Sequence, residues 1–322
     1  MVVAIILGGL AVDLTLRGLA ARLILPIFER KPPFGRAPQF QHLLGESVSF
    51  PTAAGLMLRG RIYRQTQHTP RGVIVFCPEM EGDSTSAQFY CQGLLEAGFD
   101  VFGFDFRNQA ESDSLPGYEP LHWLSHYEVE DALAAVRYAR SREEWSELPL
   151  GMVGISRGGG AALCAASRDG SIQRVAIEGA YTTASLMEHY TLRWAALYVP
   201  QWLMNLFPLW HVRGTLALVR FLSQLRRKCR YARLERELSR LGDTPIFQIH
   251  GERDSYVPQE TALQIARRLP DEHTFWLVPT ANHNKAREVD ADEYDRRLVE
   301  FFEPMQSQSD YAPDETTEAQ PA

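Results

Sequence analysis

GMVGISRGGGAA, residues 151–162, sets five glycines around a single serine, Ser156. Glycine inside a helix costs roughly 0.5–1 kcal/mol relative to alanine, so the stretch reads as a place where backbone must pass close to backbone. LGMVGI, just before the serine, is a short continuous apolar run of the kind that forms a buried strand. SRGGGAALCAAS, just after it, reads as a helix. Gly154-Ile155-Ser156-Arg157-Gly158 is therefore a G-x-S-x-G at a strand-to-helix turn, a setting that exposes a serine hydroxyl on a sharp bend. Gly154 and Gly158 would clear the bend of Cβ atoms, and Gly159 and Gly160 would let the helix approach the sheet.

Working outward, ESVSFPTAAGLMLRGRIYR (46–64) alternates on either side of a Thr-Ala-Ala-Gly turn and predicts a hairpin. Short apolar runs then alternate with amphipathic ones. GVIVFCP, FDVFGFDF, LGMVGI, VAIEGA, PIFQIHG and HTFWLVP read as strands. STSAQFYCQGLLEAG (capped by Asp83 or Ser84 and by Gly98), HYEVEDALAAVRYARS, PQETALQIARRL and ADEYDRRLVEFF read as helices. The pattern predicts an α/β chain with a mostly parallel sheet covered on both faces. It breaks once, between Gly179 and Pro245, an interval too long for a simple crossover and expected to hold a helical cap. No internal repeat is visible.

With 322 residues, 45% hydrophobic and 23% charged, the chain can bury a large core without staples. Its four cysteines (Cys77, Cys91, Cys164, Cys229) are scattered, with neither paired nor zinc-type spacing, and are expected as reduced thiols. Part of the net charge of -7 comes from the end of the chain, where residues 303–322 carry only acidic charges among Pro, Ser and Thr and are expected to be a disordered tail. No nucleic-acid motif accompanies the one basic run, RRKCRYARLER (226–236), which reads as a solvated helix face or an anionic-surface contact. Residues 1–30 form an interrupted apolar segment with Asp13 and Arg17 one helical turn apart, so an amphipathic helix is expected. Its uncharged part is far short of the ~20 residues that span a bilayer. Two fates compete for it, docking on the cap and lying in a membrane interface. Arg17, Arg22, Arg30 and Lys31 follow its most apolar stretch and, were the segment to insert, would keep the remainder of the chain cytoplasmic.

A serine hydroxyl attacks a carbonyl only when a base takes its proton and an acid orients that base. His283 follows the last predicted strand in TANHNK, and Asp254 follows PIFQIHG in the loop ERDSYVP, where Glu252 is the competing carboxylate. The order Ser156, Asp254, His283 suits a sheet of this kind. GISRGG, HGERDSYVP, ANHN, IEGAYTTAS and FDFRNQAES together resemble the α/β-hydrolases over residues 46–302, in particular the serine-aminopeptidase-like and monoacylglycerol-lipase-like group with a helical cap.

The resemblance implies an α/β-hydrolase fold over 46–302 with a cap insertion at about 180–244, preceded by a segment and linker over 1–45. It implies an oxyanion hole from the Arg157 N–H and that of Glu79 or Met80. Two stretches depart from the pattern. Cys77-Pro78 stands where the family shows His-Gly, and Asn108-Gln109-Ala110 where it often shows Gly-His-Gly. The implied reaction is hydrolysis of a small-molecule ester or lipid-like substrate with an apolar acyl or aromatic group, with no metal or organic cofactor. Amide or peptide hydrolysis, acyl transfer and a non-catalytic binding role stand as alternatives. Trp194, Tyr198, Trp202, Phe207 and Trp210 make the cap rich in aromatics. They are expected either to fasten it to the sheet or to line a substrate pocket beneath it.

Overall fold

The chain is described by a computed structural model covering residues 1–31, 45–66, 69–269 and 272–305, with the side chains of 4–6 left aside. The expected linker over 32–44 and most of the acidic tail lie outside the described residues. Eight strands form one sheet: β1 (Glu46–Pro51), β2 (Met57–Tyr63), β3 (Val73–Cys77), β4 (Asp100–Phe104), β5 (Leu150–Ile155), β6 (Ile172–Glu178), β7 (Ile246–Gly251) and β8 (Thr274–Val278). Their order across the sheet is β1-β2-β4-β3-β5-β6-β7-β8. β2 runs antiparallel to both neighbours and every other pair from β4 to β8 is parallel.

The continuous apolar runs are strands buried on both faces, and the period of two divides them between two cores. Val73 and Val75 of β3 join the core under one layer of helices. Ile74 and Phe76 join the core under the other. The helices are α1 (Val2–Phe28), α2 (Ser86–Tyr90), α3 (Gln92–Glu96), α4 (His126–Ser141), α5 (Arg157–Ala166), α6 (Thr183–Tyr198), α7 (Gln201–Met204), α8 (Leu209–Arg227), α9 (Leu234–Glu237), α10 (Gln259–Ala266), α11 (Ala286–Val289) and α12 (Ala291–Phe302). α4 starts on a capping box in which Ser125 and Glu128 satisfy each other's backbone N–H. The single helix expected over 84–98 is two short ones broken at Cys91, whose φ of -115° leaves the helical region. Its start also differs: Thr85 is the cap residue, and Asp83 accepts the Thr85 N–H at 2.8 Å.

Helices α6 to α9 fill the interval between β6 and β7. A third apolar cluster lies there, and it includes Trp123, Tyr181, Leu186, Met187 and Leu216 together with Ala21 and Phe28 of α1. The N-terminal helix thus packs against the inserted helices. Phe28 stacks on Trp123 at 4.8 Å, and its carbonyl accepts the Trp123 indole N–H at 2.8 Å.

Candidate active site

Ser156, Asp254 and His283 all stand just beyond the carboxyl ends of parallel strands, after β5, β7 and β8 respectively, where sites of open α/β sheets form. Ser156 has φ 54° and ψ -116°. This positive φ is uncommon for a residue with a Cβ. Its N–H donates to the Glu178 carbonyl at 2.7 Å and its carbonyl accepts Gly159 N–H at 3.1 Å, which fixes the bend from both sides. A Cβ on Gly158 would lie 2.2 Å from the Cys77 carbonyl oxygen and 2.4 Å from that of Pro78, and one on Gly154 would lie 2.6 Å from the Gly158 carbonyl. The end of β3 therefore presses directly on the turn. Gly159 approaches Ala180 and Ile177 on the sheet side, whereas Gly160 faces Leu124 in the loop before α4.

The Ser156 Oγ lies 3.0 Å from His283 Nε2, and His283 Nδ1 lies 2.7 Å from Asp254 Oδ2. The second Asp254 oxygen accepts the backbone N–H groups of Tyr256 at 2.9 Å and Val257 at 2.7 Å, which locks the carboxylate against the imidazole. Glu252 is elsewhere: its carboxylate accepts the Thr280 N–H at 3.1 Å on the surface. Gly179, at φ 62°, makes room for the base, since a Cβ there would sit 3.0 Å from His283 Cε1.

Arg157 opens α5, so its N–H belongs to the helix's first turn, which has no intrahelical acceptor and points toward the bend. The contact of Gly158 with Cys77 and Pro78 carries the Pro78-Glu79-Met80 stretch alongside it. The Arg157 side chain is fully buried, with Nη1 3.9 Å from Met80 Sδ. It donates to the Leu121 carbonyl at 2.7 Å and stands 3.7 Å from Glu128, which also accepts the Tyr118 hydroxyl at 2.6 Å. Glu79 is buried and accepts the Ser86 hydroxyl at 3.3 Å. A cavity of about 440 Å³ opens beside Met80 between Lys31, Asp83, Asn108 and Tyr118; neither Ser156 nor His283 lines it. Asn108 (φ 61°) holds the departing loop by donating to the Tyr118 carbonyl at 2.8 Å and accepting the Leu115 N–H at 2.8 Å.

Burial sets the protonation of the surrounding groups. It pushes the Glu178 carboxyl up to about 7, even though that carboxyl accepts the Ala286 N–H at 2.9 Å. It drives His122 down to about 3, with the Arg157 guanidinium adding to the effect. The four cysteines are unpaired and buried. Among the described residues, no group of three or more His, Cys, Asp or Glu could hold a metal ion.

Two tyrosines escaped the sequence reading. Tyr181, two residues beyond Gly179, is buried, donates its hydroxyl to the His122 carbonyl at 2.5 Å and sets its ring edge-on to that of Tyr256 at 5.8 Å. Tyr256 sets its ring edge-on to His283 at 5.0 Å. The only signal was position, since each follows a strand end by a few residues.

The cap aromatics are not the packing side chains that the first expectation required. Trp194 is 43%, Tyr198 85%, Trp202 67% and Trp210 62% exposed, so they are not packed into the core between cap and sheet. Phe207 is likewise exposed. A helix of mixed polarity can turn an aromatic stripe inward or outward with the same spacing. Here Leu186, Met187, Leu216 and Val219 occupy the inner side.

A family model described as the alpha/beta hydrolase fold matches residues 72–220. No curated protein sequence matches the chain. Among solved structures, an esterase from Pyrococcus furiosus is similar at 18% identity over 85% of this chain and 95% of its own, with a TM-score of 0.60. The alpha/beta hydrolase GrgF from a Penicillium species is similar at 18% identity over 80% of this chain and 98% of its own, with a TM-score of 0.61. Est1E from Butyrivibrio proteoclasticus, solved with ferulic acid bound, is similar at 15% identity over 79% of this chain and 99% of its own, with a TM-score of 0.57.

Proposed function

Starting from its α/β-hydrolase fold, we propose that the chain is a serine hydrolase of carboxylic esters with an apolar acyl or aromatic group. The observation that carries this reading is the unbroken line of hydrogen bonds from Ser156 through His283 to Asp254. Asp254 accepts a hydrogen bond from Nδ1–H, which keeps the proton on Nδ1 and leaves the Nε2 lone pair facing the serine hydroxyl. Ser156 Oγ attacks the ester carbonyl carbon as its proton passes to His283 Nε2. The carbonyl oxygen takes up negative charge and is met by the Arg157 N–H and by that of Glu79 or Met80. The intermediate collapses, the alkoxide leaves with the proton from His283, and the acyl group stays on Ser156. Water then attacks the acyl-enzyme with His283 as base again, releasing the acid. Cys77-Pro78 need not disable such a hole, because backbone donors depend on conformation rather than on side chains.

The apolar preference rests on what surrounds the triad: Tyr181 and Tyr256 beside the serine and histidine, and Leu186, Met187 and Val257 in the same cluster. One structural neighbour is described as an esterase, and another was solved with ferulic acid, an aromatic acid, bound.

A fluorophosphonate probe tests the reading, because it labels only an activated serine. The full chain is expected to be labelled and to hydrolyse p-nitrophenyl esters. Ser156→Ala is expected to lose both, with a fall in kcat on the order of 10⁴–10⁶, while its melting curve stays unchanged. Labelling that survives in Ser156→Ala overturns the assignment of the nucleophile. Labelling with turnover of aminoacyl arylamides but not of esters overturns the substrate class.

A further inference from the structure

The outward-turned aromatics and the N-terminal helix form one surface. α1 lies along α8, with Asp13 Oδ1 2.6 Å from His211 Nδ1 and the Arg17 guanidinium 5.2 Å from the Trp210 ring centre. Arg17 passes over Gly214 so closely that a Cβ there would collide with the guanidinium. Ser223 and Glu29 close the far end of the contact at 2.8 Å. This docking leaves much of α1 bare: Leu7, Leu14 and Leu23 are exposed, and Trp202, Leu206 and Trp210 are exposed on the adjoining cap.

We propose that α1 and the helices α6–α8 together form a platform that lays the protein on an anionic lipid bilayer surface. The charge pattern favours a bilayer over other occupants. Between His189 and Arg230 the chain carries seven basic residues and no acidic one, in a protein whose net charge is -7. Arg213 pairs with Glu188, and Arg226 and Arg227 pair with Glu29, whereas Arg193, Arg220, Lys228 and Arg230 make no ion pair among the described residues. α1 has one carboxylate before Glu29, that of Asp13, and it is already held by Arg17 and His211. The face therefore offers apolar side chains flanked by cations, with Trp and Tyr at the level where they favour headgroups. It lies on the bilayer and does not cross it. No helix of the described residues is long and apolar enough to span, and α1 is interrupted by Asp13, Arg17, Arg22 and Pro26. The platform does not depend on the proposed esterase activity, because lipid contact is measured without turnover.

Flotation of the full chain with phosphatidylcholine–phosphatidylglycerol vesicles, against phosphatidylcholine alone, tests it. The protein is expected to float with the anionic vesicles and much less with the neutral ones. Leu206→Ser combined with Leu23→Ser should lower partitioning at least about tenfold without moving the melting temperature or the oligomeric state. Arg193→Glu, which alters no apolar contact, should weaken flotation more at low salt than at high salt. Equal flotation on neutral vesicles overturns the anionic preference. Absence of flotation overturns the platform, as does a dimer in size-exclusion chromatography that Leu206→Ser dissociates, since the occupant is then a second copy. Flotation that the double variant leaves intact also overturns it.

Discussion

Around Ser156, side chains and backbone groups meet at 2.7–3.0 Å in a chain running from Asp254 to the serine, and both the serine and the aspartate are buried. Around Trp202 the surroundings invert: large apolar side chains stand in the open, and α7 buries none of its residues. The first region is built so that small displacements matter, because close backbone contacts leave no slack. The second has no such contacts, so substitutions there should act on what the protein meets rather than on how it folds.

The contrast can be broken at the acid first. Asp254→Asn is expected to lower kcat on the order of 10³–10⁴, because the amide favours the wrong imidazole tautomer. Glu252→Gln should change it only a few-fold. Steady-state kinetics on one soluble ester decide, and a crippled Glu252 variant would reassign the acid. Next comes the turn itself. With Cys77 and Pro78 carbonyls at 2.2 and 2.4 Å from the added carbon, Gly158→Ala should destabilise by roughly 3 kcal/mol and cost on the order of 10² in kcat by shifting the oxyanion donors. Urea unfolding beside kinetics measures both, and an unperturbed Gly158→Ala would mean that the turn has slack after all.

Glu178 sharpens the comparison through pH. Its carboxyl is raised from 4.5 to about 7 by burial, so the folded chain holds a proton that the unfolded chain has released. Stability from this group is undiminished below about 4.5 and declines as pH rises through 7. Glu178→Gln keeps an acceptor for the Ala286 N–H and removes the penalty. It should stabilise by on the order of 1–3 kcal/mol at pH 8 and by almost nothing at pH 4. A melting-temperature difference that stays constant with pH would show that ionisation is not opposed. The smallest effect belongs to the cap. Trp202→Ser should move stability by less than about 0.5 kcal/mol and leave hydrolysis of a short soluble ester unchanged. A large rise in KM there would restore Trp202 to the substrate pocket.

The same contrast explains what could be read from the sequence. Parallel strands buried on both faces must be continuous apolar runs, and Ser156, Asp254 and His283 each follow such a run, so the architecture and the three-residue line were legible together. The break at Cys91 was not, because nothing in SAQFYCQGLLEAG forbids helix and the interruption is a matter of how α2 and α3 meet their neighbours. Tyr181 and Tyr256 were hidden for a related reason: an aromatic in a loop gains a role only from what the fold sets beside it. For the cap, helical spacing gives which side chains share a face but not which face turns inward. That choice was made by Leu216, Val219 and the partners they found in Tyr181 and Trp123.

The seat of Arg17 over Gly214 has a consequence in time. α1 is synthesised before α8, against which it rests and which begins roughly 180 residues later. At ribosomal speeds of about 5–20 residues per second, α1 waits some 10–35 seconds before its partner exists. During that wait an apolar helix is available to chaperones, to a nearby bilayer or to another nascent chain. The order of synthesis thus leaves the completion of the cap to a late, long-range step.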